Sequence, residues 1–305
     1  MKTLRLLLLL LVLSTTALSQ TSFMVMSVKG KVTFKDAGKG KWRAVSVGDV
    51  LDGKDVVRAS FASYVKLMMN QSRLVSIDAN TTRKLSEFEA VKGRRGGEGA
   101  SGSILEYAAK QMKRSQEDNS DPVFGAVRGD MDVFTAVFPK YAVMSPAPLF
   151  RWVDAEKAES YELILLDDMF NTVMTLEMNS DTFRYLPDSL PPLNPDRQYH
   201  WRITRLTDYV QSDIQTFRIL PQDTVQAINA ELQSLDKELK EMGADDVTLH
   251  LIRGIYYEKR GLYTEAFLEY EQTIALAPDV EEYRDMMRNL LFNMKLYAEE
   301  DLLLE

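Results

Sequence analysis

The chain contains no cysteine. That removes disulfides, thiolate metal sites and cysteine nucleophiles together, and with them the lipid anchor that a leading cysteine carries in exported bacterial proteins. Histidine is nearly as scarce. Only His200 and His250 occur, in segments of different periodicity, so an imidazole pair for acid–base or metal chemistry would need two domains to meet. Long apolar runs are missing except for Leu6 to Leu13 at the start. That run is shorter than half of the about 20 apolar residues that span a bilayer. It follows Lys2 and Arg5 and leads into Ser14-Thr15-Thr16-Ala17-Leu18-Ser19. Basic, then apolar, then small is the order of a cleavable secretion signal, here residues 1–19 with Gln20 as the mature start.

An exported chain without disulfides must hold together through packed cores, which points to a bacterial periplasmic or secreted protein that is not a lipoprotein. The sequons Asn70-Gln71-Ser72 and Asn80-Thr81-Thr82 matter only in a eukaryotic secretory route. Net charge is −8, but it is unevenly placed. Lysine and arginine outnumber acids between Thr21 and Arg95, whereas acids dominate after Pro221. A basic head and an acidic tail suggest mutual docking or separate partners, beside the plain benefit of solubility.

The length of 305 residues fits two or three domains. From Phe23 to Phe88, short alternating runs punctuated by glycine predict a small β sandwich or barrel. Here Gly30-Lys31-Val32, Trp42-Arg43-Ala44-Val45, Val47-Gly48-Asp49-Val50-Leu51, Gly53-Lys54-Asp55-Val56-Val57-Arg58-Ala59 and Ser63-Tyr64-Val65-Lys66-Leu67 resemble the FecR domain, a periplasmic β module. Gly48-Asp49 and Gly53 are turn residues around Leu51, and Val57, Val65 and Leu67 are inward strand positions. The chain departs from the family at Asn70-Gln71-Ser72, where Asp-Gly-Ser is usual. This module takes residues 20–90. Residues 91–142 form a Gly/Arg-rich connector with a helix near 103–117 and an apolar stretch from Val123 to Tyr141.

Residues 143–220 read as a β-sandwich that resembles fibronectin type III or immunoglobulin-like domains. Trp152 occupies an early-strand core position, and Leu193-Asn194-Pro195-Asp196-Arg197-Gln198-Tyr199 has the spacing of a tyrosine corner. After Pro221 the apolar period changes from 2 to 3.6, with Val225, Ile228, Leu232, Leu235 and Leu239 on one helical face. Asp246 to Val280 resembles one tetratricopeptide repeat, through Gly254, Tyr257, Gly261, Tyr263, Ala266, Tyr270 and Pro278. It departs at His250 and Thr273, where tryptophan and alanine are usual. One repeat cannot bury its own faces, so helices at 223–242 and 281–300 are expected as neighbours or caps within a helical domain of residues 221–305.

Catalytic chemistry is poorly represented. Gly97-Glu98-Gly99-Ala100-Ser101-Gly102 matches a dinucleotide fingerprint in letters only, because no buried strand precedes it. Asp167-Asp168 follows a strand and precedes Asn171, which makes a hairpin turn. Arg128-Gly129-Asp130 spells an adhesion tripeptide that a bacterial setting deprives of its receptor. No cofactor, metal or catalytic residue is assigned. The expected fold is multidomain β plus α, and the expected role is that of a non-catalytic extracytoplasmic binding or scaffold protein with an envelope or secreted protein partner.

By resemblance to tetratricopeptide hairpins, a partner face would carry Thr248, Leu251, Ile255, Glu258 and Lys259, whose alternative role is packing against helix 223–242. A second expectation is recognition of an anionic surface polymer or glycan, with contacts at Lys39, Lys41 and Arg43. A third is an envelope sensor related to FecR regulators. Those carry a cytoplasmic segment ahead of a membrane span, and only five residues precede the apolar run here. Export argues against nucleic acid as partner.

Overall fold

The computed structural model describes residues 21–70, 73–89, 104–105, 107–112, 134–296 and 303. The segment read as a secretion signal, the Gly/Arg-rich stretch, the 97–102 glycine motif, Arg128-Gly129-Asp130, residues 123–133 of the apolar stretch and two residues of the first sequon lie outside that set. No helix among the described residues is long and apolar enough to cross a membrane.

The first unit is all β: β1 (Ser22–Lys29), β2 (Val32–Lys35), β3 (Arg43–Ala44), β4 (Val50–Asp52), β5 (Val56–Ala59), β6 (Tyr64–Met69), β7 (Arg73–Ile77) and β8 (Thr81–Lys84), closed by the short helix α1 (Ser86–Glu89). The strands make two four-stranded antiparallel sheets, ordered β4-β1-β6-β7 and β3-β2-β5-β8. Alternation sends Val57, Val65 and Leu67 fully inward, with Leu51 beside them.

A helical segment, α2, comprises residues 104–105 and 107–112. The second β unit follows: β9 (Phe134–Phe138), β10 (Tyr141–Val143), β11 (Leu149–Asp154), β12 (Tyr161–Leu166), β13 (Thr172–Met178), β14 (Thr182–Arg184), β15 (Gln198–Arg205) and β16 (Gln215–Ile219). A three-stranded sheet β14-β11-β9 faces a five-stranded sheet β10-β16-β15-β12-β13. The boundary expected at residue 143 falls at the end of β10. The sandwich already begins at Phe134, because Ala136, Val137 and Phe138 are buried where β9 pairs with β11. The Asp167-Asp168 segment is the β12–β13 turn, with Asp167 N–H donating to the Asn171 carbonyl at 2.9 Å. Asn194 N–H donates to Tyr199 Oη at 2.8 Å, the bond that the corner spacing predicts.

Among the described residues four longer helices follow: α3 (Gln222–Glu241), α4 (Asp246–Lys259), α5 (Tyr263–Leu276) and α6 (Glu281–Asn293). Ile228, Leu232, Leu235 and Leu239 form the buried stripe of α3. Gly243, at φ +83°, ends that helix in the left-handed region that glycine adopts without strain. Asp245 then caps α4 by accepting from Thr248 N–H at 2.9 Å. Both departures from the repeat pattern are locally satisfied. Thr273, fully buried, donates its hydroxyl to the Glu269 carbonyl at 2.9 Å, and His250 Nδ1 meets Glu269 Oε2 at 2.7 Å.

At the crossing of α4 and α5, a methyl built on Gly254 would come within 2.4 Å of Cε1 of the Tyr270 ring, which is itself fully buried. Alanine is the better helix former by about 1 kcal/mol. Gly254→Ala is nevertheless expected to destabilise the chain by roughly 1–3 kcal/mol through overpacking. Urea unfolding checks this, and an unchanged midpoint would show that the helices can part at little cost.

Two apolar cores result. One fills the sandwich around Phe150, Trp152, Trp201 and Phe217. The other runs without a break from Phe23, Val25 and Met26 in β1, through Ile104, Leu105, Ala108 and Met112 in α2, into Leu251, Ile255, Phe267, Met287 and Leu290 of the helices. Polar contacts cross the same seam. Tyr283 donates to the Met26 carbonyl at 3.2 Å, and Lys66 Nζ to the Gly243 carbonyl at 2.5 Å. The sandwich docks on α5 as well, through Phe138 against Phe267 with ring centres 4.7 Å apart, Arg151 Nη1 to Glu271 Oε1 at 2.6 Å, and Met144 N–H to Glu265 Oε1 at 2.6 Å.

Candidate functional site

The residues expected to bind a partner do not share one open surface. Thr248, Leu251 and Ile255 are fully buried in the core that α4 shares with β1 and α2. Glu258 is half-buried and accepts a hydrogen bond from Tyr270 Oη at 2.7 Å, while exposed Lys259 lies over the Tyr107 ring of α2 at 5.3 Å. The role as packing residues, weighed from sequence for Leu251 and Ile255, matches their burial. The two histidines stay apart. His200 sits in β15 beneath Phe170, their rings 4.3 Å apart and nearly parallel, and His250 belongs to α4.

The basic residues of the first unit are better placed. Lys39 and Lys41 are exposed on the loop between β2 and β3, and Arg43 on β3 pairs with Asp36 at 2.5 Å while lying 4.7 Å from the centre of the Phe34 ring. That loop delivers Trp42 onto the outer face of the sheet β3-β2-β5-β8. The pairing register explains what it meets there. Thr33 faces Ala44 and Arg58, Arg58 faces Thr82, and Val56 lies between Lys35 and Lys84. Since alternate residues share a face, Lys35, Arg58, Thr82 and Lys84 all project on the side that Val32 and Val57 do not.

Trp42 completes the arrangement. The Arg58 guanidinium lies 4.1 Å from the indole centre and Lys35 Nζ 4.8 Å from it, each a cation–π contact of roughly 0.5–1 kcal/mol at an exposed site. Arg58 Nε also donates to Thr82 Oγ1 at 3.3 Å, so the guanidinium is held between a ring and a hydroxyl. A guanidinium oriented this way keeps its terminal N–H groups for a carboxylate or phosphate, which it grips in two-point fashion. The outward positions Thr33, Lys35, Trp42, Ala44, Val56, Arg58, Thr82 and Lys84 include no acid. Asp55, buried just before β5, is taken up by Ala37 N–H and Asp52 N–H, from which it accepts at 2.8 and 2.9 Å.

Lys39, Lys41 and Arg43 are legible in the sequence because they cluster in the chain. Lys35, Arg58 and Lys84 converge only through strand register, and alternation was the one signal that could have joined them.

No family model matches the chain, and no curated protein does. Among solved structures, the FN1-FN3 domains of chicken CNTN1 match at 12% identity and a TM-score of 0.24, over 66% of this chain and 54% of that one. A beta-1,2-glucanase from Parabacteroides distasonis matches at 7% identity and a TM-score of 0.25, over 93% of this chain and 47% of that one. This chain thus spans about half the length of each. Likenesses at that level carry no argument about fold or activity.

Proposed function

We propose that this is a non-catalytic extracytoplasmic binding protein that holds an anionic envelope polymer on the Trp42 face of its first β unit. The observation that carries the reading is the convergence of Arg58 and Lys35 on one indole, with Lys84 on the same acid-free sheet face. A polymer bearing phosphate or carboxylate at each repeat would meet the cations, and its ring or backbone carbons would rest on Trp42. Lys39 and Lys41 extend the positive rim, whereas Arg43, opposite Phe34 and paired with Asp36, belongs to the other side of the sheet.

The other parts serve as a frame under this reading. The fibronectin-like reading of the sandwich is supported by its three-against-five strand order and by the Tyr199 corner. The tetratricopeptide reading is supported by the Gly254–Tyr270 crossing. The FecR-like reading of the first unit rests on its turn and core residues, and export on the leading segment. The protein–protein scaffold reading keeps less surface, since Thr248, Leu251 and Ile255 are inside.

Co-sedimentation of the mature chain with purified phosphate-rich envelope polymer tests the reading. Binding is expected at low salt and to weaken as salt rises, because exposed charges are screened over about 10 Å at 0.1 M. Arg58→Glu with Lys84→Glu is expected to weaken it at least about tenfold, or about 1.4 kcal/mol. Trp42→Ala should weaken it while leaving the salt dependence in place. A parent chain that fails to bind at low salt, or a double variant that binds unchanged, overturns the proposal.

A further inference from the structure

Among the described residues most sheet edges are short, charged or covered, and β13 is the longest edge strand. β3, β4, β10 and β14 run two or three residues, β8 carries Arg83 and Lys84, β7 opens on Arg73, and β9 is buried over Ala136 to Phe138. β13 is the outer strand of the five-stranded sheet, seven residues long, with Glu177 its single ionisable group and neither proline nor lysine. Such an edge presents a row of backbone donors and acceptors to any strand that can align with it. Its inner side is also incompletely covered. Leu163 and Leu165 on β12 are fully buried, whereas Leu176 and Met178, on the same side of the sheet, remain partly exposed beyond the three-stranded partner.

We propose that β13 pairs with β13 of a second copy, antiparallel about Thr175, so that the two five-stranded sheets become continuous. The strand is self-compatible in that register. Thr175 faces Thr175 of the second copy, Met174 faces Leu176, Val173 faces Glu177 and Thr172 faces Met178. No carboxylate meets a carboxylate, and the Met174–Leu176 pairs extend the inner apolar side across the junction. A one-residue slip would set Met174 against Thr175 and lose that match. A second copy is favoured over an unrelated strand because the single charge falls against valine by symmetry alone. The inference stands apart from the polymer reading, since its readout is mass. If both hold, each assembly offers two Trp42 faces to one repeating polymer.

Sedimentation equilibrium of the full mature chain tests it. The parent is expected to dimerise. Thr175→Lys and Thr175→Glu, both at an exposed position, are each expected to weaken self-association roughly tenfold, because like charges then oppose each other on the two-fold axis. An equimolar mixture of the two variants should recover dimers, now hetero-dimers. A parent that stays monomeric at the highest soluble concentration overturns the proposal. So does a Thr175→Lys variant that dimerises like the parent, or a mixture that remains monomeric.

Discussion

Replacing Arg205 with methionine is expected to destabilise the sandwich by about 3–5 kcal/mol, the largest effect of any single substitution considered. The Arg205 side chain is 1% exposed and that of Asp154 2%, and their Nη1 and Oδ1 atoms are 2.9 Å apart. Asp208 takes Nε and Nη2 at 3.0 and 2.8 Å, Glu156 reaches Nη1 at 3.1 Å, and the guanidinium lies 5.3 Å from the Phe134 ring centre. Burial alone would raise the Asp154 pKa. Hydrogen bonds from Ala158 N–H, the Tyr161 hydroxyl, Glu156 N–H and Arg205 outweigh it and hold the carboxyl below its ordinary range. Methionine fills much of the same space, so the cost comes from stranding a buried carboxylate rather than from a cavity. Adding Asp154→Asn to Arg205→Met removes the charge while keeping an acceptor for Ala158 N–H and the Tyr161 hydroxyl, so the double change should cost less than the single one. The sign with pH follows. In the parent, Asp154 contributes stability above its ordinary pKa and loses it as pH falls through the lowered value. In Arg205→Met the deficit should shrink in acid, where the stranded group takes up a proton. Urea unfolding at neutral and acid pH measures both, and equal deficits at the two pH values would show that the charge is not the cause.

Glu265→Gln is expected to do the opposite and stabilise the chain, but only near and above neutral pH. Glu265 lies where α5 meets the end of β10, with Oε1 accepting from Met144 N–H and Oε2 shut from solvent without a hydrogen-bond partner among the described residues. Burial pushes its pKa from the ordinary 4.5 up to about 7, against the lowering effect of the Met144 bond. A carboxyl whose folded-state pKa is raised destabilises the fold as it ionises, so stability falls as pH climbs from about 4.5 through about 7. Complete ionisation then costs on the order of 3 kcal/mol. Glutamine keeps the acceptor for Met144 and cannot ionise. The variant should match the parent near pH 4.5 and exceed it by roughly 1–3 kcal/mol above pH 7. Its other neighbours do not cancel the effect, because Glu271 is committed to Arg151, Glu269 to His250, and nearby Tyr257 is a neutral phenol pushed up to about 12, by burial first and then by the Glu269 and Glu265 charges. Melting temperatures across pH decide the matter, and a gain that is the same at every pH would refute the titration.

Local features were legible because their causes are local. The change of period at Pro221, the Asp167 turn, the corner at Tyr199 and the close approach at Gly254 each depend on residues a few positions apart or on one hairpin. The Trp42 face was half legible. Lys39, Lys41 and Arg43 announce positive charge in the chain, but Lys35, Arg58 and Lys84 are separated by whole strands and meet only once β2, β5 and β8 take their register. Thr248, Leu251 and Ile255 looked like an open face because an amphipathic helix does not say what will cover it. Their cover includes the apolar core shared with β1 and α2, an association between sequence-distant segments that no periodicity encodes.

That shared core also dictates an order of events. The Met26 carbonyl waits for the hydroxyl of Tyr283, 257 residues later. Contacts of such separation carry a heavy loop-closure cost and slow the search for the native state. The strands made first therefore cannot finish folding until the helices made last have arrived, and in the interval β1 and α2 present bare apolar surface to every neighbour. Cutting the chain after Leu220 should not release a tidy pair of β modules. It should leave a sticky fragment whose β1 and α2 keep the apolar surface that the helices would have covered.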